Sequence, residues 1–310
     1  MPRVSVVVPV YNSVTTIASA LDSILQQSYR DLEIIAVYDD SQDGTLAVME
    51  AIAARDPRLL IFRNPDATGW LRRMPAALNF GLRHSEGEFI ARMDADDIAL
   101  PDRIASQVTF LDQNPNVALC GMSITLINRD GQRVRDIPAT CGTSRTRILA
   151  GYAPPLYHPT WMFRRSILET LHGYRDMYAE DYDFQLRALD AGFQLDNLPA
   201  VGLLYRIYPG HRSSLLSQKS NRFAYRMHRM RQRKLADGFS VGASRMAIAP
   251  GSWPRLEHLA HGVMQRGFAL EERNRIMGLG LIALSLVALP ASAGLTMRKV
   301  RAVIQLWLTR

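Results

Sequence analysis

Val4-Ser5-Val6-Val7-Val8-Pro9-Val10 stands almost at the start of the chain, and few folds can accommodate such a run. It is β-branched and nearly continuous, which suits a central parallel strand covered on both faces. Pro9 is expected to end it. Tyr11-Asn12-Ser13 follows, then a helical stretch from about Thr15 to Gln27 with Ile17, Leu21, Ile24 and Leu25 on one stripe. A second buried run, Leu32-Glu33-Ile34-Ile35-Ala36-Val37-Tyr38, closes in the polar loop Asp39-Asp40-Ser41-Gln42-Asp43-Gly44-Thr45. Strand, helix, strand and polar loop form a nucleotide-binding βαβ unit, but one without a phosphate-cradling glycine fingerprint. The expected class is therefore α/β, a Rossmann-like nucleotide-binding sheet with helices on both faces.

The alternation continues with a helix from Thr45 to about Arg55 and a strand at Leu59-Leu60-Ile61-Phe62. Beyond the loop Asn64-Pro65-Asp66-Ala67-Thr68-Gly69, a helix carries Ala76, Ala77, Leu78, Asn79 and Gly81. Glu88-Phe89-Ile90-Ala91-Arg92-Met93-Asp94-Ala95-Asp96-Asp97 is then a short apolar run that stops in three carboxylates. Ligands of open α/β sheets bind outside the carboxyl ends of strands. Asp94 and Asp96 flank the small Ala95, so a backbone turning there aims both at one point, with Asp97 behind. Carboxylates so spaced suit Mg²⁺ or Mn²⁺, which keeps positions open for phosphate oxygens. Acidic triplets are also common as solvated turns or helix starts, and Asp97 before Ile98-Ala99-Leu100-Pro101 partly fits that reading.

These residues resemble family 2 glycosyltransferases of the GT-A fold, over residues 2–214. The resemblance implies that Pro9, Tyr11, Asn12 and Asp39 meet the nucleobase and ribose, with Asp39 reading a uracil ring. It places Asn79 near the nucleotide, Asp94 and Ala95 against the nucleotide-sugar, and Asp94 and Asp96 on the metal. Tyr38 departs from the pattern, where another aspartate is usual. Asp43 reads as a cap for the helix beginning near Thr45. Trp70-Leu71-Arg72-Arg73 looks like an insertion, and Arg72 or Arg73 is a candidate for the diphosphate, against the commoner exposed helix arginine.

After the carboxylates, Pro101-Asp102-Arg103 starts a helix reaching Asn114, Val117 to Ile124 is a strand, and Asn128-Arg129-Asp130-Gly131-Gln132 is a hairpin turn. A second constellation spans Tyr157 to Arg165 and Tyr178-Ala179-Glu180-Asp181-Tyr182-Asp183. Acids in a first helical turn are stabilised by the helix dipole without any catalytic role. The resemblance assigns more: Asp181 as the base for an acceptor hydroxyl and Glu180 orienting acceptor or base. His158 also matches a family position, beside a structural reading of His-Pro in a loop. In the closing segment Leu203 to Ser214, Tyr208 stands where the family usually has a histidine. His211 is the alternative ligand there.

The chain has 310 residues and 47% hydrophobic content, enough for a sizeable core, and a formal net charge of +8. That charge points to an anionic partner of some kind. Cys120 and Cys141 show neither metal-ligand spacing nor a disulfide framework, so reduced thiols are expected. Met1-Pro2-Arg3 leads straight into the first strand, so a cytoplasmic catalytic domain is expected. Two halves, 1–100 for the nucleotide and 101–214 for the acceptor, precede a tail at 215–310. From Arg212 to Lys234 there are eight Lys or Arg and no acid, interleaved with Phe223, Tyr225, Met227 and Met230. This is a basic amphipathic helix suited to an anionic membrane surface, with a solvated face as the alternative and no nucleic-acid module in sight. Ile276 to Met297 carries no charge and would span roughly 33 Å as helix against a hydrocarbon core of about 30 Å. Pro290 and three glycines weaken it, so peripheral membrane association is expected rather than a true span.

The activity these expectations describe is inverting transfer of a sugar from a nucleotide-diphosphate donor, UDP-linked, to an acceptor hydroxyl. A glycan or lipid-linked glycan in cell-surface polysaccharide or glycolipid synthesis, at the inner face of the membrane, is the expected acceptor. Two alternatives are a sugar-nucleotide pyrophosphorylase and a non-catalytic nucleotide-sugar-binding protein of the same fold.

Overall fold

The computed structural model describes residues 2–65, 73–151, 153–208, 215–237 and 239. Strand β1 (Val4–Val10) pairs in parallel with β2 (Leu32–Tyr38), and helix α1 (Ile17–Leu25) crosses between them. Both strands are buried along their whole length, as continuous apolar runs must be when helices cover both faces. Strand β1 runs one residue beyond Pro9, because Pro9 and Val10 still sit opposite Val37 and Tyr38. Helix α2 (Thr45–Ala53) leads to β3 (Leu59–Arg63), parallel to β2, and α3 (Arg73–His84) leads to β4 (Phe89–Arg92), parallel to β1. Helix α3 approaches β1 closely because Gly81 has no side chain: a Cβ there would lie 2.5 Å from Val7 Cγ1.

The other half is mixed. Strand β5 (Ile98–Ala99), helix α4 (Arg103–Gln113), the hairpin β6 (Val117–Ile127) and β7 (Arg133–Ile137), helix α5 (Thr143–Ala150), β8 (Met162–Arg164), the short α6 (Ile167–Leu171), α7 (Glu180–Asp190) and β9 (Gln194–Arg206) follow in order. The hairpin turns where expected, with Gly131 at a positive φ of 82°. One sheet of nine strands results, in the order β3-β2-β1-β4-β8-β6-β9-β5, with β7 beside β6. Strand β8 is antiparallel to both β4 and β6, so the parallel half ends at β4. The carboxyl ends of β1, β2 and β4 therefore open at one sheet edge, beside the point where strand direction changes.

By contact density the chain divides into one unit of residues 1–146 and 154–211 and another of 147–153 and 212–310. In the second, α8 (Leu215–Gln232) is a helix over most of the basic stretch, with Arg226, Arg229, Arg233 and Lys234 exposed. Among the described residues no helix is long and apolar enough to cross a membrane. The candidates Arg72, His211 and 276–297 lie outside the described residues, as does the side chain of Arg73.

Candidate active site

The first two loops at the open edge are tied together by their own polar side chains. Asn12 adopts a left-handed φ of 46°, its N–H donates to Ser41 Oγ at 2.9 Å, and its Oδ1 accepts from Gln42 N at 2.8 Å. Asparagine tolerates that backbone region better than most residues. Asp39 is 2% exposed and accepts from Asn64 Nδ2 at 3.0 Å, while its own N–H reaches Val10 O at 2.9 Å. Pro9 and Asp39 thus share this edge with the half-exposed ring of Tyr11, which is 41% accessible. Asp43 does serve the helix start: its Oδ1 accepts from Thr45 N at 3.0 Å and from the Thr45 hydroxyl. Tyr38 is buried, with its hydroxyl on Ser41 O at 2.9 Å, so the aromatic residue braces the loop that carries Asp39.

The acidic turn after β4 brings Asp94, Asp96 and Asp97 together, with one carboxylate oxygen of each lying within 4.8 Å of the others. Ala95 is buried between them. Each carboxylate leans on one donor of this chain. Arg92 grips both oxygens of Asp94, at 2.8 and 2.5 Å. The Tyr208 hydroxyl hydrogen-bonds Asp96. The Arg206 N–H donates to Asp97 Oδ1 at 2.8 Å, and the Arg206 guanidinium to Asp96 O at 2.8 Å and Arg129 O at 2.7 Å. Asp97 is 1% exposed and its Oδ2 has no hydrogen-bond partner. Asp97 is therefore a member of the cluster, more than the helix-start acid that its neighbours suggested.

Burial and crowding favour the protonated forms of Asp96 and Asp97. Burial, then the charge of Asp94, raises Asp96 to about 6. Burial, then Asp94 and Asp96, raises Asp97 well above the usual carboxylate range. Two carboxylates that resist ionisation beside a third, one of them with an orphaned oxygen, are what a hard divalent cation satisfies.

The second constellation comes from the other half and feels the charges of the acidic turn. Ala179, at a left-handed φ of 58°, turns the chain into α7 so that Glu180 and Asp181 occupy its first turn. Asp181 Oδ1 accepts from Tyr182 N at 2.7 Å. Burial, then Asp181, raises Glu180 to about 8, and burial also raises Asp181. Arg92 and Asp94 act electrostatically on both, so the α7 start and the acidic turn share one field.

Other candidates make contacts within the chain. Asn79 clamps the main chain of Tyr174, donating from Nδ2 to its carbonyl and accepting from its N–H, both at 2.8 Å. Gly173 makes room for that clamp: at φ 92°, a Cβ would sit 2.4 Å from Asn79 Oδ1. His158 is buried with Nε2 3.0 Å from the Tyr174 hydroxyl and its ring 4.4 Å from Trp161; burial keeps it neutral by pushing its pKa well down. Asp183 is fully buried and pairs with Arg187 at 2.7 Å. Reading by motif missed Arg92, Arg103 and Arg206. The available signal was a lone charge, Arg92, inside an otherwise apolar strand.

The family model for Glycosyl transferase family 2 matches residues 5–171. The O-antigen biosynthesis glycosyltransferase WbnJ of Escherichia coli is 30% identical over 212 residues, 67% of this chain and 81% of the relative. Among solved structures, TarS (residues 1–349) of S. aureus in complex with UDP-GlcNAc aligns with a TM-score of 0.59 at 19% identity, covering 92% of this chain and 81% of that one. The mannosyltransferase PcManGT of Pyrobaculum calidifontis, in complex with GDP-Man and Mn²⁺, aligns with a TM-score of 0.52 at 23% identity, covering 99% and 83%. With the parallel half, the switch in strand direction and the acidic turn between the halves, these matches place the chain in glycosyltransferase family 2, with the GT-A fold.

Proposed function

We propose that this chain transfers one sugar, with inversion, from a UDP-linked donor to an acceptor hydroxyl, using Asp94 and Asp96 as metal ligands and Asp181 as base. The observation that carries the reading is that Asp94, Asp96 and Asp97 cluster at the end of β4 and that Asp94 acts electrostatically on Glu180 and Asp181 at the start of α7. The donor set is all oxygen, which fits Mg²⁺ or Mn²⁺. Such an ion, when bound, offsets the charge of the leaving diphosphate.

The chain's own residues do the rest. Pro9, Tyr11, Asn12 and Asp39 line the edge where a base and ribose would lie, and a buried Asp39 carboxylate can accept from a uracil N–H. Asn79, which holds the main chain of Tyr174, and the small Ala95 between Asp94 and Asp96 complete the set assigned to the nucleotide-sugar. Glu180, neutral at pH 7, leaves Asp181 as the carboxylate of the pair that accepts the acceptor's proton. A single displacement from the opposite face of the sugar inverts its anomeric carbon.

The acceptor is a lipid-linked glycan at the cytoplasmic face of a membrane, in polysaccharide synthesis. Support comes from the exposed Arg226 and Arg229 on α8, whose spacing sets them along one helix face, with the exposed Arg233 just past the end of the helix, and from the O-antigen role in the name of the WbnJ relative. Neutralising these arginines should abolish co-sedimentation of the full chain with vesicles containing anionic lipid; unchanged sedimentation would remove the membrane from the reading.

Calorimetry with UDP tests the donor site. Binding should be tighter with Mn²⁺ than with chelator, and Asp96→Ala should erase that difference. Protons compete with the metal, so the Mn²⁺-dependent part should weaken as pH falls below about 6, where Asp96 takes up its proton. An enhancement by Mn²⁺ that survives Asp96→Ala would disprove the metal assignment.

A further inference from the structure

Arg92 ends β4 and is 3% exposed, with Arg103, 2% exposed, directly behind it. Its main chain is fixed from both sides: its N–H donates to Trp161 O at 3.0 Å, and its carbonyl accepts from Arg103 Nη2 at 2.7 Å. Its side chain makes a two-point fork, Nη1 to Asp94 Oδ2 at 2.8 Å and Nη2 to Asp94 Oδ1 at 2.5 Å, while Nε has no acceptor. Taking a guanidinium out of water is costly. An apolar residue would avoid that cost, as Phe89, Ile90 and Ala91 do in the same buried strand.

The fork does something an apolar residue could not. The Asp94 side chain is 24% exposed, so it has a path to solvent, and the neighbouring Asp96 and Asp97 carboxylates repel it whenever they are ionised. Arg92 opposes the repulsion and fixes the carboxylate plane. An Asp94 oxygen stays within 4.8 Å of oxygens of Asp96 and Asp97, and each Asp94 oxygen keeps a lone pair that the fork does not use.

We infer that Arg92 is a positioning residue for the metal-binding carboxylates: its fork holds Asp94 in the cluster before any ion arrives. The inference rests on the metal assignment made above. A fixed cation also repels a divalent one, so the sign has to be decided. The Arg92 charge is already matched by Asp94, and losing an outer partner of a ligand weakens metal sites by about 10–100-fold. Orientation should therefore outweigh repulsion.

The test is UDP calorimetry on the full chain with Mn²⁺ and with chelator, for wild type, Arg92→Lys and Arg92→Met. Arg92→Lys keeps the charge and loses the fork. It should weaken the Mn²⁺-dependent binding by about 10–100-fold and leave binding in chelator unchanged, which also shows that the nucleotide edge is intact. Arg92→Met should lose at least as much; should it fail to fold, Arg92→Lys decides alone. Wild-type affinity in Arg92→Lys, tighter binding in Arg92→Met, or an equal loss with and without metal would each overturn the inference. Wild type showing no Mn²⁺ dependence would instead remove the metal site itself, and the role of Arg92 with it.

Discussion

Asp181→Asn should lower turnover by about 10²–10⁴-fold, the range for loss of a positioned general base, while Mn²⁺-dependent UDP binding stays at the wild-type level. Asparagine keeps the shape of the side chain and the oxygen that accepts from Tyr182 N–H at 2.7 Å. It removes the second, basic oxygen. Donor binding should be spared because the edge proposed for the nucleotide and the acidic turn follow β1, β2 and β4, whereas Asp181 arrives on α7. Turnover close to wild type would exclude Asp181 as the base and turn attention to Glu180.

The pair also sets a pH dependence. Burial, then Asp181, raises Glu180 from 4.5 to about 8, so between these values the folded chain holds a proton that the unfolded chain has lost. This contribution to stability is complete below about 4.5 and is lost as pH rises through about 8. Asp181→Asn removes a charge that helps to raise Glu180 and should make stability less dependent on pH in that window.

Trp161→Ala should destabilise the chain by about 3–5 kcal/mol, the usual cost of emptying the site of a large buried aromatic. Trp161 is 0% exposed, and its ring lies 4.4 Å from His158, 5.6 Å from Phe184 and 6.4 Å from Tyr174. These partners come from the segment before β8, from α7 and from the loop between α6 and α7, so collapse around the void would need three separate pieces to move. Urea denaturation would show the change as a lower midpoint; a loss below about 1 kcal/mol would mean that the cluster repacks, as tolerant cores do. The Trp161 carbonyl also accepts from Arg92 N at 3.0 Å. Alanine keeps that carbonyl, so this hydrogen bond does not add to the loss.

Much of this was legible in the order of residues. The runs Val4–Val10 and Leu32–Tyr38 could only be doubly covered strands, and their alternation with amphipathic stretches determined a parallel sheet. That sheet in turn determined that Tyr11, Asn12, Asp39 and Asp94 share an edge, since parallel neighbours end on the same side. Asp94-Ala95-Asp96 was readable as a carboxylate cluster because local chain geometry alone can converge two carboxylates one residue apart.

What lay beyond the sequence were contacts between residues far apart in it, which leave no periodic or motif signal. The carboxylates of α7 enter the field of Asp94 only because β8 turns the sheet antiparallel beyond β4. Asn79 was legible as a motif residue, yet its partner Tyr174 is 95 positions away and its amide went to that main chain. Asp97 looked like a helix-start acid until the Arg206 N–H, 109 positions on, took one oxygen and burial isolated the other. Arg92 shows the difference most plainly. The sequence set a charge in an apolar strand, and tertiary structure alone decided that it is enclosed, because the surrounding strands and α4 exclude the water that would otherwise have solvated it.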